Sequence, residues 1–246
     1  MYDFHDVIRT KILRTLLKSR FLEFKVIKKE RHLKKKIIKK KISLKKLKHT
    51  TERYLECLYN HFPGIINIPL ERSITKIEPL SKKIGIAPFA AHSSKIWPIE
   101  NYHPILSKFE DYEIIIFAFG EKEIIEANKL IAKHKNCSII PNNTTFNHQM
   151  NLINEFDVFI SMDSANMHLG CLTSTPIISI WGPTHYYLGF GPLFNEENII
   201  QISHQKMTCR PCSVYGKIKS KDVECSIKSM KDITPDMVIK KIEDCL

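Results

Sequence analysis

No stretch of this chain approaches the run of about eighteen apolar residues that a membrane span needs, and its first residues lack the apolar core of a signal peptide. Both absences predict a cytoplasmic protein. The seven cysteines, Cys57, Cys137, Cys171, Cys209, Cys212, Cys225 and Cys245, are odd in number and scattered, which argues against a disulfide framework. Cys209-Arg-Pro-Cys212 has the spacing of half a zinc site, but a second close pair is missing. His204 and Cys225 would have to complete such a shell; the plainer expectation is a loop with reduced thiols. The N-terminus also lacks a hydrophobic strand followed by a glycine-rich turn, so the chain is expected to open on a helix.

At 246 residues the chain can form one large domain or two small ones. Its charge is unevenly placed. Residues 1–50 hold 18 Lys and Arg against 4 Asp and Glu, a net of +14 within a whole-chain net of +12, which leaves the other 196 residues at −2. A segment this basic suits an anionic membrane surface, a phosphorylated glycolipid or nucleic acid, or is a solvated helix face. Nucleic acid is the least favoured partner, because the interleaved aromatics and known modules of such binders are missing. For a membrane surface, Lys34 to Lys41 are the expected main contributors.

Apolar residues Val7, Ile8, Ile12, Leu13, Leu16 and Leu17 recur at helical spacing over residues 3–18. Phe24 to Ile27 reads as a short strand, Lys28 to Lys48 as helix and exposed loop, and Thr50 to His61 as a helix with Tyr54, Leu55 and Leu58 inward, stopped by Pro63-Gly64. Residues 70–83 are polar, follow Pro69 and include Pro79, and read as a linker. Beyond them strands and helices alternate. Strands are expected at Ile84 to Pro88, Glu113 to Phe119 and Cys137 to Ile140, and helices at Ile99 to Phe109, Glu121 to His134 and Phe146 to Glu155. A last helix over Pro235 to Cys245, capped by Thr234, turns Met237, Val238 and Ile242 to one face. Repeated βα units of this kind build a doubly wound parallel sheet.

The most informative stretch is Val158 to Gly182, VFISMDSANMHLGCLTSTPIISIWG. Two apolar runs, at 158–160 and 177–181, fit buried strands, and between them Ser161 to Ser164 can cap a helix carried by Ala165 to Leu172. Ligands of open parallel sheets bind beyond the carboxyl ends of the strands, where a helix N-terminus offers N–H groups to an anion. Asp163, Ser164, Asn166 and His168 therefore stand where a phosphate or pyrophosphate would be held. At the end of an earlier strand, Glu121 and Glu123 open a helix. They can accept hydrogen bonds from a ribose, or simply favour the helix dipole.

MDSANMHLG, then TPIISIWGPTH and CRPCSVYGK, resemble the lipopolysaccharide heptosyltransferases, the family 9 glycosyltransferases of GT-B fold. The resemblance covers residues 82–246 well and 1–60 more loosely. The family pattern of an Asp, a Ser or Thr, a Gly, two variable residues and a His is met by Asp163, Ser164, Asn166, Met167 and His168, with Ala165 in place of the glycine. It implies a GT-B architecture: an incomplete N-terminal α/β domain over 1–69, a linker over 70–83, and a doubly wound nucleotide-sugar-binding domain over 84–246. Ala90 to Pro98 looks like the family's donor-phosphate loop, in which Ser93, Ser94 and Lys95 would hold phosphates and Lys95 would offset charge on the leaving diphosphate. Pro183, Thr184 and His185 lie at the next strand end and could line the same cleft.

The implied activity is transfer of heptose from ADP-heptose to a lipopolysaccharide core acceptor, by direct displacement at the anomeric carbon. GT-B enzymes of this kind need no metal or other cofactor, and an Asp-x-Asp metal motif is absent from the chain. Expected partners are the nucleotide-diphosphate sugar, a glycolipid acceptor and an anionic membrane, the last placing the protein at the inner face of the inner membrane. In the family the base that deprotonates the acceptor comes from the start of the N-terminal domain. Asp3, His5 and Asp6 match a later helix of that domain, so the catalytic residue is unassigned. The expectation is a chain lacking about 80 to 100 residues, half of a typical domain. The alternative is a catalytically silent nucleotide-sugar-binding remnant, or one half of a split glycosyltransferase.

Overall fold

A computed structural model describes residues 1–21, 23–59, 62 and 81–246. The chain divides into two compact units, Met1–Glu71 with Tyr186–Gly191, and Arg72–His185 with Pro192–Leu246. The expected stop at Pro63-Gly64 and residues 70–80 of the expected linker lie outside the described residues.

In the first unit the chain opens on a strand rather than a helix. β1 (Tyr2–Asp3) pairs in parallel with β2 (Lys25–Val26), and α1 (Ile8–Leu16) connects them. The predicted helix from residue 3 starts five residues late for a local reason: the buried Asp3 carboxylate accepts from the backbone N–H groups of His5 and Asp6, at 2.9 and 2.8 Å, and so fixes a turn. Asp3, His5 and Asp6 thus belong to this strand end and turn, not to a helix. Burial pushes the Asp3 pKa up, but those N–H groups, Thr10 and Arg14 outweigh it and hold the carboxyl below its ordinary value.

α2 (Arg31–Ile38) buries Ile37 and, against its charge, Lys34. The Lys34 ammonium sits 3.9 Å from the centre of the Phe190 ring, a cation–π contact. In α3 (Thr50–Leu58) the inward residues are Arg53 and Cys57, whereas Tyr54, expected inside, is exposed. Arg53 can be buried because Glu30 and the carbonyl of Lys29 accept its guanidinium N–H groups, at 2.6 and 3.2 Å. Residues 186–191 pack with this unit through Leu47 N–H to the Tyr187 carbonyl and Thr50 N–H to the Gly189 carbonyl, at 2.8 and 3.0 Å.

The second unit is the predicted doubly wound sheet. Its six parallel strands are β3 (Lys83–Ala87), β4 (Glu113–Ile116), β5 (Cys137–Ile139), β6 (Val158–Met162), β7 (Ile177–Trp181) and β8 (Ile199–Gln201). They lie in the order β5-β4-β3-β6-β7-β8. The chain winds outward from β3 in one direction, then returns to lay β6 on the other side of β3. That reversal is a topological switch point, where strand-end loops part to leave a crevice. The strands read as unbroken apolar runs because helices cover both faces: Ile84, Ile86, Ile114, Ile116, Val158, Ile160, Ile178 and Ile180 are all buried. On the other face Gly85 leaves room for Phe156 and Phe159, whose rings a Cβ would meet at 2.2 and 2.6 Å.

The helices are α4 (Tyr102–Lys108), α5 (Gly120–Ile131), α6 (Phe146–Asn154), α7 (Ala165–Gly170), α8 (Val223–Lys231) and α9 (Pro235–Cys245). The first three and α9 fall where periodicity places them, although Ile99–Asn101 is a 3-10 turn ahead of α4. The Thr234 side chain accepts from the Met237 N–H as a cap; Val238 and Ile242 face the core, but Met237 is exposed.

Candidate active site

Three loops converge beyond the carboxyl ends of the strands. The first follows β3 and ends in a 3-10 turn, Ser93–Lys95, held by Trp97. Trp97 is fully buried, donates from Nε1 to the Ile233 carbonyl at 3.0 Å and packs edge-on against Tyr102. With that anchor two residues on, Lys95 has little freedom, and it is itself almost buried. Its Nζ lies 3.3 Å from Asp163 Oδ2, at the end of β6. The same oxygen accepts from Thr184 Oγ1, after β7, at 2.7 Å. One carboxylate therefore joins an ammonium from one strand end to a hydroxyl from another, across the switch point.

Asp163 neutralises part of the charge of the nearly buried Lys95 and holds its ammonium in place. Ser94 Oγ donates to the Gly216 carbonyl at 2.6 Å, tying this loop to a segment far along the chain. Gly216, at φ +102°, sits where a Cβ would press on the His92 and Lys95 side chains at 3.0 Å.

The other expected site residues are placed unevenly. Ser93 is exposed. Ser164 is the N-cap residue of α7, yet its hydroxyl meets Ser161 Oγ at 3.2 Å rather than a helix N–H, and the Asp163 carboxylate goes to Lys95 and Thr184. Neither side chain caps the helix. α7 has six residues instead of the eight expected, too few turns for a substantial dipole. Ala165 and His168 lie exposed on it, and Asn166 is half-buried. Glu123 Oε2 accepts from the Phe119 N–H at 3.0 Å and thus caps α5, while Glu121 is exposed on the first turn of that helix. His185 is buried next to Thr184.

Arg210 is the residue that sequence reasoning missed, because CRPC was read for its cysteines. It is completely buried, and its guanidinium donates to the carbonyls of Trp181, Gly182, Thr184 and Ile202 and to Gln201 Oε1. It thereby fixes the loop that carries Thr184. Burial lowers its pKa to about 10. The thiol expectation is also corrected: Cys209 and Cys225 form a disulfide with a Cα–Cα distance of 6.5 Å, with Cys212 Sγ 3.2 Å from Cys225 Sγ. Folding brings the three together because α8, unpredicted by the sequence, returns Cys225 to the CRPC turn.

The strand order, with its reversal at β3, defines a Rossmann-type α/β domain, and the charged cluster lies at its switch point. The sequence profile of glycosyltransferase family 9 (heptosyltransferase) matches residues 18–221, and the chain belongs to that family. It is 29% identical over 171 residues to lipooligosaccharide heptosyltransferase 2 of Campylobacter jejuni, covering 67% of this chain and 51% of that protein. Lipopolysaccharide heptosyltransferase 2 of Salmonella typhimurium is 24% identical over 183 residues, 71% of this chain and 49% of the relative. The chain thus spans about half the length of the curated relatives it matches. Among solved structures, E. coli ADP-heptose heptosyltransferase II aligns with a TM-score of 0.60 at 17% identity, covering 97% of this chain and 80% of that one. An E. coli heptosyltransferase with ADP aligns at 0.62 and 14%, covering 100% and 72%. These likenesses show the fold: an α/β architecture with a parallel sheet, as in the GT-B heptosyltransferases.

Proposed function

We propose that residues 84–246 bind the ADP-sugar donor of a heptosyltransferase, and that the chain serves transfer of heptose from ADP-heptose to a lipopolysaccharide core acceptor. The observation that carries this reading is the Lys95–Asp163–Thr184 cluster at the switch point of the sheet. Family membership and a structural neighbour seen with ADP support the choice of nucleotide. Displacement at the anomeric carbon develops negative charge on the departing diphosphate. Lys95, held by Asp163, offsets that charge, and the Ser93 hydroxyl and the Thr184 loop supply hydrogen bonds around it, while Ser94, whose proton goes to the Gly216 carbonyl, holds the loop in place. Basic side chains do this work without a metal ion. Glu121 is the remaining carboxylate for a ribose hydroxyl, Glu123 having one oxygen on its own helix. Asn166 and His168, on α7, are assigned to the donor as well, with His168 the candidate for contact with the transferred sugar.

Calorimetric titration of the chain with ADP, in the presence of a chelator, tests the reading. Saturable binding is expected. No binding by folded protein, or binding only with added divalent metal, overturns it. Since the chain matches about half of its relatives' length, donor binding without transfer is the second reading. Binding of ADP-heptose with no glycosyl transfer to a core acceptor would establish that reading, a silent remnant or one half of a split enzyme, and turnover would exclude it.

A further inference from the structure

The sulfur atoms of Cys209, Cys212 and Cys225 lie within 4.8 Å of one another. A disulfide accounts for two of them. It leaves the third, the buried Cys212 thiol, pressed against the bond with its Sγ 3.2 Å from Cys225 Sγ. Two sulfurs come from one tight turn and the third from the opening turn of α8. A two-residue turn that aims both its sulfurs at a third is the arrangement of thiolate metal sites, where Zn–S bonds of about 2.3 Å hold sulfurs roughly 3.8 Å apart. The electrostatics suit thiolates: Cys225 is the third residue of a nine-residue helix, and Lys217, Lys219 and Lys221 belong to the connecting loop. His204, the other ligand considered from sequence, is not one of the three.

We infer that in the reduced protein Cys209, Cys212 and Cys225 form a structural site for a thiolate-preferring divalent cation of the zinc class. A dithiol reductant opens the Cys209–Cys225 bond, becoming a cyclic disulfide itself and leaving two cysteine thiols. The cation then replaces three thiol protons, which pass to solvent, and forms three metal–sulfur bonds. Three cysteine ligands leave a fourth position for water. The ion does not touch the donor. It braces residues 209–216, whose Gly216 carbonyl accepts from Ser94 Oγ in the candidate donor loop. The inference stands independently of the proposed nucleotide, because its readout is metal content.

The full chain, reduced with dithiothreitol, desalted without oxygen, exposed to zinc and passed over a chelating column, should retain about one metal ion, with three cysteines shielded from alkylation. Elemental analysis reports zinc and iron together. Replacing the exposed ligand in Cys209→Ser, or the buried one in Cys212→Ser, should weaken retention about tenfold or more, whereas Cys137→Ser should retain the ion. Cys212→Ser is decisive, since a disulfide between the other two has no use for it. No retained metal in reduced wild type, an adventitious ion only, equally held by Cys209→Ser and Cys212→Ser, or alkylation of all three cysteines in the zinc-loaded protein overturns the site.

Discussion

Lys95 and Asp163 illustrate how far a residue's role depends on a partner that its sequence neighbours do not reveal. Each taken singly reads as a surface lysine or a helix cap, and at 3.3 Å they form a nearly buried ion pair instead. If Lys95 faces the diphosphate, Lys95→Ala should weaken ADP by roughly 1.5 to 3 kcal/mol, the range for hydrogen bonds to charged groups, with a smaller loss for AMP. Equal losses in the two calorimetric titrations would mean that Lys95 meets only the first phosphate. Lys34 provides a residue-scale prediction about stability. Burial, and next the charge of Arg53, push its pKa down to about 7. The unfolded chain keeps a lysine value near 10.4, so between about 7 and 10 it binds more protons than the folded one and stability rises with pH. The penalty is fully present below pH 7. The unfolding free energy from urea titration should increase across that window by on the order of 2 kcal/mol, the Phe190 contact offsetting the rest, and Lys34→Met should flatten the slope.

Among the elements, β3 shows most clearly why a strand in the middle of a sheet is demanding. It pairs with β4 on one side and β6 on the other, and its Gly85 is covered by two fully buried rings. Gly85→Ala should therefore cost about 1 to 3 kcal/mol by overpacking, although alanine otherwise favours a strand over glycine. Thermal unfolding would register this as a lowered Tm, and an unchanged Tm would show that Phe156 and Phe159 yield. β8 and α8, which periodicity did not announce, are the elements that Arg210 and Cys225 join to the site. β8 has only three residues, too short to show a period, and α8 has a polar sequence whose buried positions are Ser226, Ser229 and Met230.

On the scale of the whole chain, charge is segregated: the +14 of residues 1–50 belongs to the first unit. α1 also exposes Ile8, Ile12, Leu13 and Leu16 beside Arg9 and Lys11. Among the described residues no helix is long and apolar enough to cross a membrane. Salt-sensitive adhesion to anionic lipid is the expected behaviour. Its lysines are Lys35, Lys36, Lys39, Lys40 and Lys41, all exposed; Lys34, counted among them from sequence, is buried. Screening shortens electrostatic reach from about 10 Å at 0.1 M salt to about 3 Å at 1 M. Sedimentation with anionic vesicles should fall over that range and after reversal of those five charges; equal binding to neutral lipid would sink the idea.

The sequence by itself determined the doubly wound class and most of its strands, because helices on both faces of a parallel sheet oblige each strand to be an unbroken apolar run. It also marked the Asp163 and Lys95 loops, since polar residues directly after such runs stand at strand ends. Only tertiary structure decided which of these meet. The strand order brings the loops after β3 and β6 side by side although Lys95 and Asp163 stand 68 positions apart in the chain, and no local pattern encodes that adjacency. The same reason explains the misses. The burial of Lys34 and Arg53, the inward face of α3 and the meeting of Cys225 with Cys209 and Cys212 depend on what stands opposite a residue in space, and propensity and periodicity describe only its neighbours along the chain.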